Sequence, residues 1–392
     1  MLQPPPNTKL SRVNRLFCNI RTPCYIPPSI VGNVPHLTPD NCSKVNDLTS
    51  QVIDFADIAK LVKLATDSEK SLRSLLRVTD YELMFSAQNY IGESYTPSSN
   101  ATGFMMETSG GRRTVSIDEY MKATDLLQPE LVVPFADEIP LTKSHNRQRA
   151  AVQTSLEWLD ACQKLNTSRT PMCGVIVGGD DELLRRVSAV ETCKRDIQAI
   201  LISGLGTCAN KARRLELIEI IVREITPASL PRIVTGIGHP LDVMDAVSHG
   251  IDAFVSPYPA FATKAGYGFI FWISAADDGG NMNARNEERE LSGGELHLRQ
   301  KRFASDFKPL LVGCDCFACQ KYTRAYIHHL LDVREMLGEI LLYFHNLHHY
   351  YRFFREIRST IDLNNFAAYH AEFVANFEKE PNFLTAEKAT IN

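Results

Sequence analysis

Cys173-Gly-Val-Ile-Val177, a helical stretch over Asp181–Lys194, and then Ala199-Ile-Leu-Ile-Ser203 form the passage that decides the fold class. Two short, continuous apolar runs flank a segment of helix length. That is the pattern of a parallel β-α-β crossover whose strands are covered on both faces. The alternation extends in both directions. Strands are expected at Leu131–Phe135, Arg232–Gly236, Ile251–Val255 and Phe269–Ile273, and helices at Asn146–Leu165, Lys211–Glu224 and Leu241–Ser248. With further strands from the N-terminal part of the chain, the α/β pattern fits a (β/α)8 TIM barrel, which takes roughly 250 residues, or an open doubly wound sheet.

The 392 residues are 44% hydrophobic and 22% charged, an ordinary globular composition that excludes disorder, collagen and coiled coil for the whole chain. The formal net charge of -4 is no global nucleic-acid signature. It is unevenly spread: residues 299–358 carry ten Lys/Arg and six Asp/Glu, a local +4 that leaves -8 elsewhere. A basic C-terminal module on an acidic remainder is compatible with an RNA partner.

No run approaches the ~20 apolar residues of a membrane span. The best, Gly268–Ala276, reads as a buried strand, so no integral membrane segment is expected. Lys9, Arg12, Arg15 and Arg21 precede the first acidic residue, Asp40, as in a mitochondrial presequence. The Pro4-Pro5-Pro6 run breaks such a helix, so a basic strand and loop are expected instead. Scattered single cysteines such as Cys18, Cys42, Cys162 and Cys208 fit a reduced, cytoplasmic setting.

Ala275–Leu296, with two glycine pairs, reads as a long loop. Tyr322–Ile361 reads as one or two long helices. The stripe Leu330, Val333, Leu337, Ile340, Leu341, Phe344 and Leu347 is expected in the core, and a short helix follows Asn364.

Cys314-x-Cys316-x2-Cys319 is the strongest chemical signal. Thiolates this close in sequence can fold round one tetrahedral cation, with a fourth ligand from elsewhere. His345 follows after 25 residues on the long helical segment, where His328, His329, His348 and His349 compete with it. Three sulfurs and one nitrogen suit a closed structural zinc site, one Zn2+ per chain.

Residues on both sides of this cluster carry a family resemblance. Leu298-Arg-Gln-Lys-Arg-Phe, Asp306-Phe-Lys-Pro-Leu, Cys314-Asp-Cys-Phe-Ala-Cys319, Thr323-Arg-Ala-Tyr-Ile-His-His-Leu330 and His345-Asn346 closely resemble the tRNA-guanine transglycosylase family. So do Gly236-Ile-Gly-His-Pro240, Gly250-Ile-Asp-Ala-Phe254 and, more weakly, Thr22-Pro-Cys24 with Pro35-His-Leu-Thr38. The resemblance implies a (β/α)8 barrel over residues 1–298 and a zinc-binding subdomain with long C-terminal helices over 299–392. It also implies Cys314, Cys316, Cys319 and His345 as the zinc ligands.

The family exchanges guanine for a deazaguanine base at the anticodon wobble position. An aspartate attacks ribose C1′, and a second carboxylate moves the proton. In active members the nucleophile ends a Gly-Ile-Asp-x-Phe-Asp pattern. Here that stretch reads Gly250-Ile-Asp252-Ala-Phe-Val255, and an isopropyl group forms no glycosyl ester. Asp252 and Val255 point to opposite faces of a strand, so only a register slip would let Asp252 substitute.

Other departures agree. Asp-Ser-Gly-Gly-Phe-Gln, which carries the second carboxylate, is absent; Ser109-Gly110-Gly111 and Ser292-Gly293-Gly294 are partial matches. The base-recognition Gln-Gly-Gly reads Val177-Gly178-Gly179, and a valine offers a purine edge no hydrogen bond. The family's Phe-Asp-Glu is displaced to Phe135-Ala136-Asp137-Glu138. The chain therefore resembles the family's non-catalytic subunits. These pair with a catalytic queuine tRNA-ribosyltransferase subunit as a heterodimer, with a homodimer as the other option, and hold tRNA. The resemblance also implies peripheral association with the mitochondrial outer membrane. The contrasting expectation is an autonomous transglycosylase using a relocated carboxylate such as Asp252.

Lesser motifs carry two readings each. Gly236-Ile-Gly238 lacks the third glycine of a dinucleotide fingerprint and reads as a tight turn. Asp180 or Asp181 is expected to cap a helix rather than admit a phosphate. Arg324, Arg352, Arg355 and Arg358 either touch RNA phosphates or form a solvated face. Tyr350, Tyr351, Phe353 and Phe354 mark a protein interface or core.

Overall fold

The computed structural model describes residues 11–378 apart from 13–14, 17–18, 31, 69, 92–102, 109–110, 142, 209 and 275–293. The expected loop at Ala275–Leu296, the partial Ser109-Gly110 and Ser292-Gly293 motifs and the start of the basic arm thus fall largely or wholly outside the described residues.

Eight parallel strands run through the described residues: β1 (Cys24–Ile26), β2 (Ser50–Asp54), β3 (Glu82–Ser86), β4 (Leu131–Val133), β5 (Cys173–Ile176), β6 (Ala199–Ile202), β7 (Arg232–Thr235) and β8 (Ala253–Val255). They lie in two sheets, in the orders β1-β8-β7-β6-β5 and β2-β3-β4. Parallel bridges between Pro28 and Val52 and between Val132 and Met172 join the sheets at both edges. Each strand therefore has a parallel neighbour on either side.

Helices follow the strands in turn: α1 (Pro39–Cys42), α2 (Phe55–Ser68), α3 (Leu72–Leu76), α4 (Ile117–Leu127), α5 (His145–Leu165), α6 (Glu182–Cys193), α7 (Lys211–Glu224), α8 (Pro240–Ser248) and α9 (Tyr258–Ala265). Strand side chains alternate between two apolar clusters. Val133, Val175, Leu201, Ile233 and Val255 join one another inside the ring of strands. Their neighbours Val132, Ile176, Ile200, Val234 and Phe254 pack outward under the helices. Both faces are dry, which is why the strands read as continuous apolar runs. Gly206 and Gly236 follow β6 and β7, where a Cβ on Gly206 would lie 2.6 Å from the Gly236 Cα. The turns after these strands pack backbone on backbone, a contact closed to any larger residue.

The expected strand at Phe269–Ile273 is corrected. The strand is β9 (Tyr267–Phe269), antiparallel to β10 (Glu295–His297). From the last residue of β9 onward, side chains of a helix take several of the backbone groups that a further ladder would use. Asn346 Oδ1 accepts from Phe269 N at 2.9 Å, His345 bonds Phe269 O at 2.6 Å and His349 bonds Phe271 O at 3.0 Å.

The helix that supplies these contacts is α12 (Met336–Asp362), which finishes the fold with α11 (Arg324–Asp332) and α13 (Phe366–Glu378), all preceded by the short α10 (Phe317–Lys321). The long segment is thus two helices, broken where Arg334 takes φ 60°. The break corrects part of the expected core stripe, because Val333 and Leu337 beside it reach solvent. The 27-residue α12 then runs down the outside of β8 and β1, with Phe354 5.6 Å from Phe254 and 6.3 Å from Tyr25 between ring centroids. Tyr350, Tyr351, Phe353 and Phe354 are buried in this packing, so they are core and not an interface. Among the described residues no helix is long and apolar enough to cross a membrane.

Candidate metal centre and strand-end site

Cys314, Cys316 and Cys319 converge on His345 near the start of α12. Their sulfurs lie 3.8, 3.6 and 3.3 Å from His345 Nδ1, all four residues are buried, and the four donor atoms sit within 4.8 Å of one another. The turn is held locally: Cys316 caps α10, its Sγ accepting from Cys319 N at 3.3 Å. The imidazole is held from behind. Nε2–H donates to the Phe269 carbonyl at 2.6 Å, which leaves Nδ1 facing the sulfurs. Asn346 beside it also donates to Thr263 Oγ1 and Tyr267 O, at 2.9 and 2.8 Å.

Zn–S and Zn–N bonds near 2.3 and 2.0–2.1 Å in a tetrahedron place sulfur about 3.5 Å from nitrogen. The observed separations bracket that value. A closed set of three sulfurs and one nitrogen therefore fits Zn2+ in a structural role. Three of the competing histidines are engaged elsewhere or exposed, while His348 lies beside Cys314 and Asp315 at the edge of the cluster. His328 bonds Leu298 O, His349 bonds Phe271 O, His348 pairs with Asp315, and His329 faces solvent. Within the cluster, hydrogen bonds with Cys316 and Cys319 hold the Cys314 thiol well below the usual range, while those with Cys314 and Cys316 push Cys319 up. Burial opposes a charged His345, but its bonds to the Cys314 and Cys316 sulfurs win and raise it to about 10. Metal uptake here thus displaces protons.

Val255 ends β8 with 0% exposure, inside the inner apolar cluster. Asp252 lies ahead of the strand, at its other end. It accepts from Arg12 Nε and Nη2 at 3.0 and 2.8 Å and from Arg232 N at 2.8 Å, and it is 1% exposed. Both carboxylate oxygens are thus engaged by structural donors. Asp137 is likewise committed, with its carboxylate clamped by Arg147 at 2.6 and 2.9 Å.

The space beside Val177, Gly178 and Gly179 is almost closed, a cavity of about 10 Å³. Two residues that sequence reasoning missed fill it. Buried Arg185 on α6 donates to Gly179 O, Ile176 O and Ser203 O at 2.9, 3.1 and 2.8 Å. Burial lowers its pKa to about 10, opposed by neighbouring Glu138, whose own pKa burial raises. Gln148 on α5 donates to Leu141 O and Lys143 O and lies against Gly179, where a Cβ would meet its Oε1 at 2.3 Å. Both sit in helical stretches where a polar residue reads as surface. At the end of β2, Asp54 is buried, and desolvation pushes its pKa up to about 7 against a 2.8 Å bond from Ala56 N.

Other motifs resolve plainly. Asp181 caps α6 through Leu184 N at 2.9 Å. Arg324 is fully buried, bonded to Leu310 O and Asp306, which removes it from any RNA surface.

The chain joins parallel strands wrapped by helices to a Cys3His cluster whose histidine sits on α12. The family model described as queuine tRNA-ribosyltransferase (TGT) covers residues 8–379. The chain belongs to this tRNA-guanine transglycosylase family. Within it the chain is similar to accessory subunits. It is 31% identical over 364 residues to the queuine tRNA-ribosyltransferase accessory subunit 2 of Gallus gallus, covering 84% of this chain and 85% of that protein. The protein of the same name from Xenopus tropicalis is 30% identical over 84% of this chain and 86% of its own length. That from Homo sapiens is 27% identical over 86% and 88%.

Proposed function

We propose that the chain is the non-catalytic subunit of a heterodimeric queuine tRNA-ribosyltransferase, contributing dimerisation and tRNA positioning while its partner performs the exchange. The observation that carries this reading is Val255. An apolar, fully buried side chain stands where the family pattern places the attacking carboxylate. The closed space around Arg185 and Gln148 supports it, since no purine fits about 10 Å³. The alternative nucleophile, Asp252, is bound to Arg12 and Arg232 at the far end of the strand.

The two-sided pairing of all eight strands supports a (β/α)8 TIM barrel. The division at residue 298 is kept as a description of chemistry, with residues 299–392 holding the zinc subdomain. α12 belongs to both parts, because it carries His345 and covers β1. Cys314, Cys316, Cys319 and His345 hold the structural Zn2+. The names of the relatives support a catalytic partner subunit. Exposed apolar residues in the zinc module, Phe307 at 78% and Met336 at 75%, support docking through that module. The proposal includes a cytoplasmic setting with peripheral association at the mitochondrial outer membrane, for which the family resemblance is the support.

Labelled guanine incorporation into tRNA tests the reading. The purified chain alone is expected to show none, and addition of the catalytic subunit to give exchange above that subunit's own rate. Exchange by this chain alone overturns the proposal.

A further inference from the structure

At the end of the strand ring remote from Val255, a cleft of about 580 Å³ opens between the starts of β1 and β2, the segment Asn19–Arg21 and the last turns of α12. Its volume falls within the range of small-molecule sites. Buried Tyr25 and Tyr351 line it from below, and Asn46 and Thr49 lie on its polar wall.

Three arginines face this cleft, and two are matched by acids. Arg355 pairs with Asp47 at 2.6 Å and Arg21 with Asp362 at 2.7 Å. Arg358 is different. Its Nη1 donates to the Pro23 carbonyl at 2.8 Å, and among the described residues no carboxylate lies within ion-pair distance of it. Burial lowers its pKa against the pull of Asp47, which is itself paired with Arg355, so the protein keeps a partly desolvated cation with no carboxylate of its own among the described residues. Neighbouring Cys24 does not compensate, because burial pushes its thiol up to about 12 and keeps it neutral. Nε and Nη2 of Arg358 remain as donors in the planar fork that suits an oxyanion. Arg355 and Arg21 on the rim are balanced by Asp47 and Asp362, which also line the cleft, so Arg358 supplies the unmatched positive charge, and its planar guanidinium can hold two phosphate oxygens side by side.

We infer that this cleft is a binding site for a small phosphorylated molecule of nucleotide size, with Arg358 holding the phosphate, Arg355 and Arg21 at the rim, and Asn46 and Thr49 beside the uncharged body. The site is separate from the strand-end site and does not depend on the exchange chemistry.

Calorimetric titration of the full chain with guanosine monophosphate, inorganic phosphate and guanosine tests it. The nucleotide is expected to bind at sub-millimolar to millimolar concentration, phosphate more weakly, and guanosine not at all. Arg358→Ala is expected to weaken nucleotide binding at least tenfold. That variant also loses the Pro23 contact, so Asn46→Trp, which fills the cleft from an exposed position, serves as the second variant. It should abolish binding with unchanged melting temperature. No binding of nucleotide or phosphate, equal binding of guanosine, or undiminished binding by a folded Arg358→Ala variant overturns the inference. So does a result in which no small molecule binds and Arg358→Ala weakens tRNA binding instead, which would make the cleft an RNA contact.

Discussion

His345 Nε2 donates to the carbonyl of Phe269 across 2.6 Å, and Asn346, the next residue, accepts from the amide of Phe269. One backbone unit at the end of β9 is therefore held on both sides by adjacent residues of α12. The same bond that ends the strand aims Nδ1 at three cysteine sulfurs. The cysteine cluster and the strand ring are tied through a single helix, so the state of one is felt by the other.

Metal content follows from that link. The purified protein is expected to carry about one zinc per chain, measured by inductively coupled plasma mass spectrometry. Cys316→Ala should reduce it to near zero. In small zinc domains the metal contributes on the order of 10 kcal/mol to folding. Even a fraction of that lowers the unfolding midpoint, and the loss should extend to α12. Full metal retention in Cys316→Ala contradicts the ligand set.

Asp252 is expected to matter for stability and not for chemistry. Asp252→Asn leaves Arg12 and the Arg232 amide short of a charged acceptor in a buried setting, a loss of about 3 kcal/mol. Urea unfolding should show this, while exchange per folded heterodimer stays at the wild-type rate. A folded variant with abolished exchange would make Asp252 part of the reaction.

Asp54 gives a pH dependence of definite sign. Its pKa is pushed up to about 7 by burial, above the value of about 3.9 in the unfolded chain. Between these values the folded state holds a proton that the unfolded state has released. Stability from this group is thus complete below about pH 4, falls by up to about 1.4 kcal/mol per pH unit as pH rises towards 7, and is level above. Asp54→Asn should remove that slope. Its stability relative to wild type should rise from pH 5 to pH 8 in urea titrations.

Much of the fold is legible in the sequence where burial imposes a pattern. β5 and β6 are apolar on both faces because an inner and an outer cluster both claim them, and Lys211–Glu224 coincides with α7. The cysteine cluster is legible because three thiols within six positions have few structural uses. What fails does so where distant groups decide. Phe269–Ile273 looks like a strand, but its ladder stops at the bond from Ile270 N to Gly294 O, and the carbonyls of Phe269 and Phe271 go to side chains 76 and 78 residues away. Arg324 looks like a surface cation, yet Leu310 O and Asp306 take it inside. Arg185 and Gln148 carry no local sign that they close a cavity, because the carbonyls they meet belong to other elements.

The zinc module's exposed apolar residues predict where the partner docks. Phe307→Glu combined with Met336→Glu should abolish co-purification with the catalytic subunit while leaving zinc content and melting temperature unchanged. Each truncated anchor at an interface centre is commonly worth about 2 kcal/mol or more. Undiminished co-purification would move the interface elsewhere.

The most direct test of the non-catalytic assignment asks which chain carries the covalent glycosyl intermediate. The reconstituted heterodimer is incubated with labelled tRNA, quenched in denaturant and resolved on a denaturing gel. The account predicts label on the catalytic subunit alone. Label migrating with the mass of this chain would contradict it, since neither Val255 nor the Arg12-bound Asp252 can hold it.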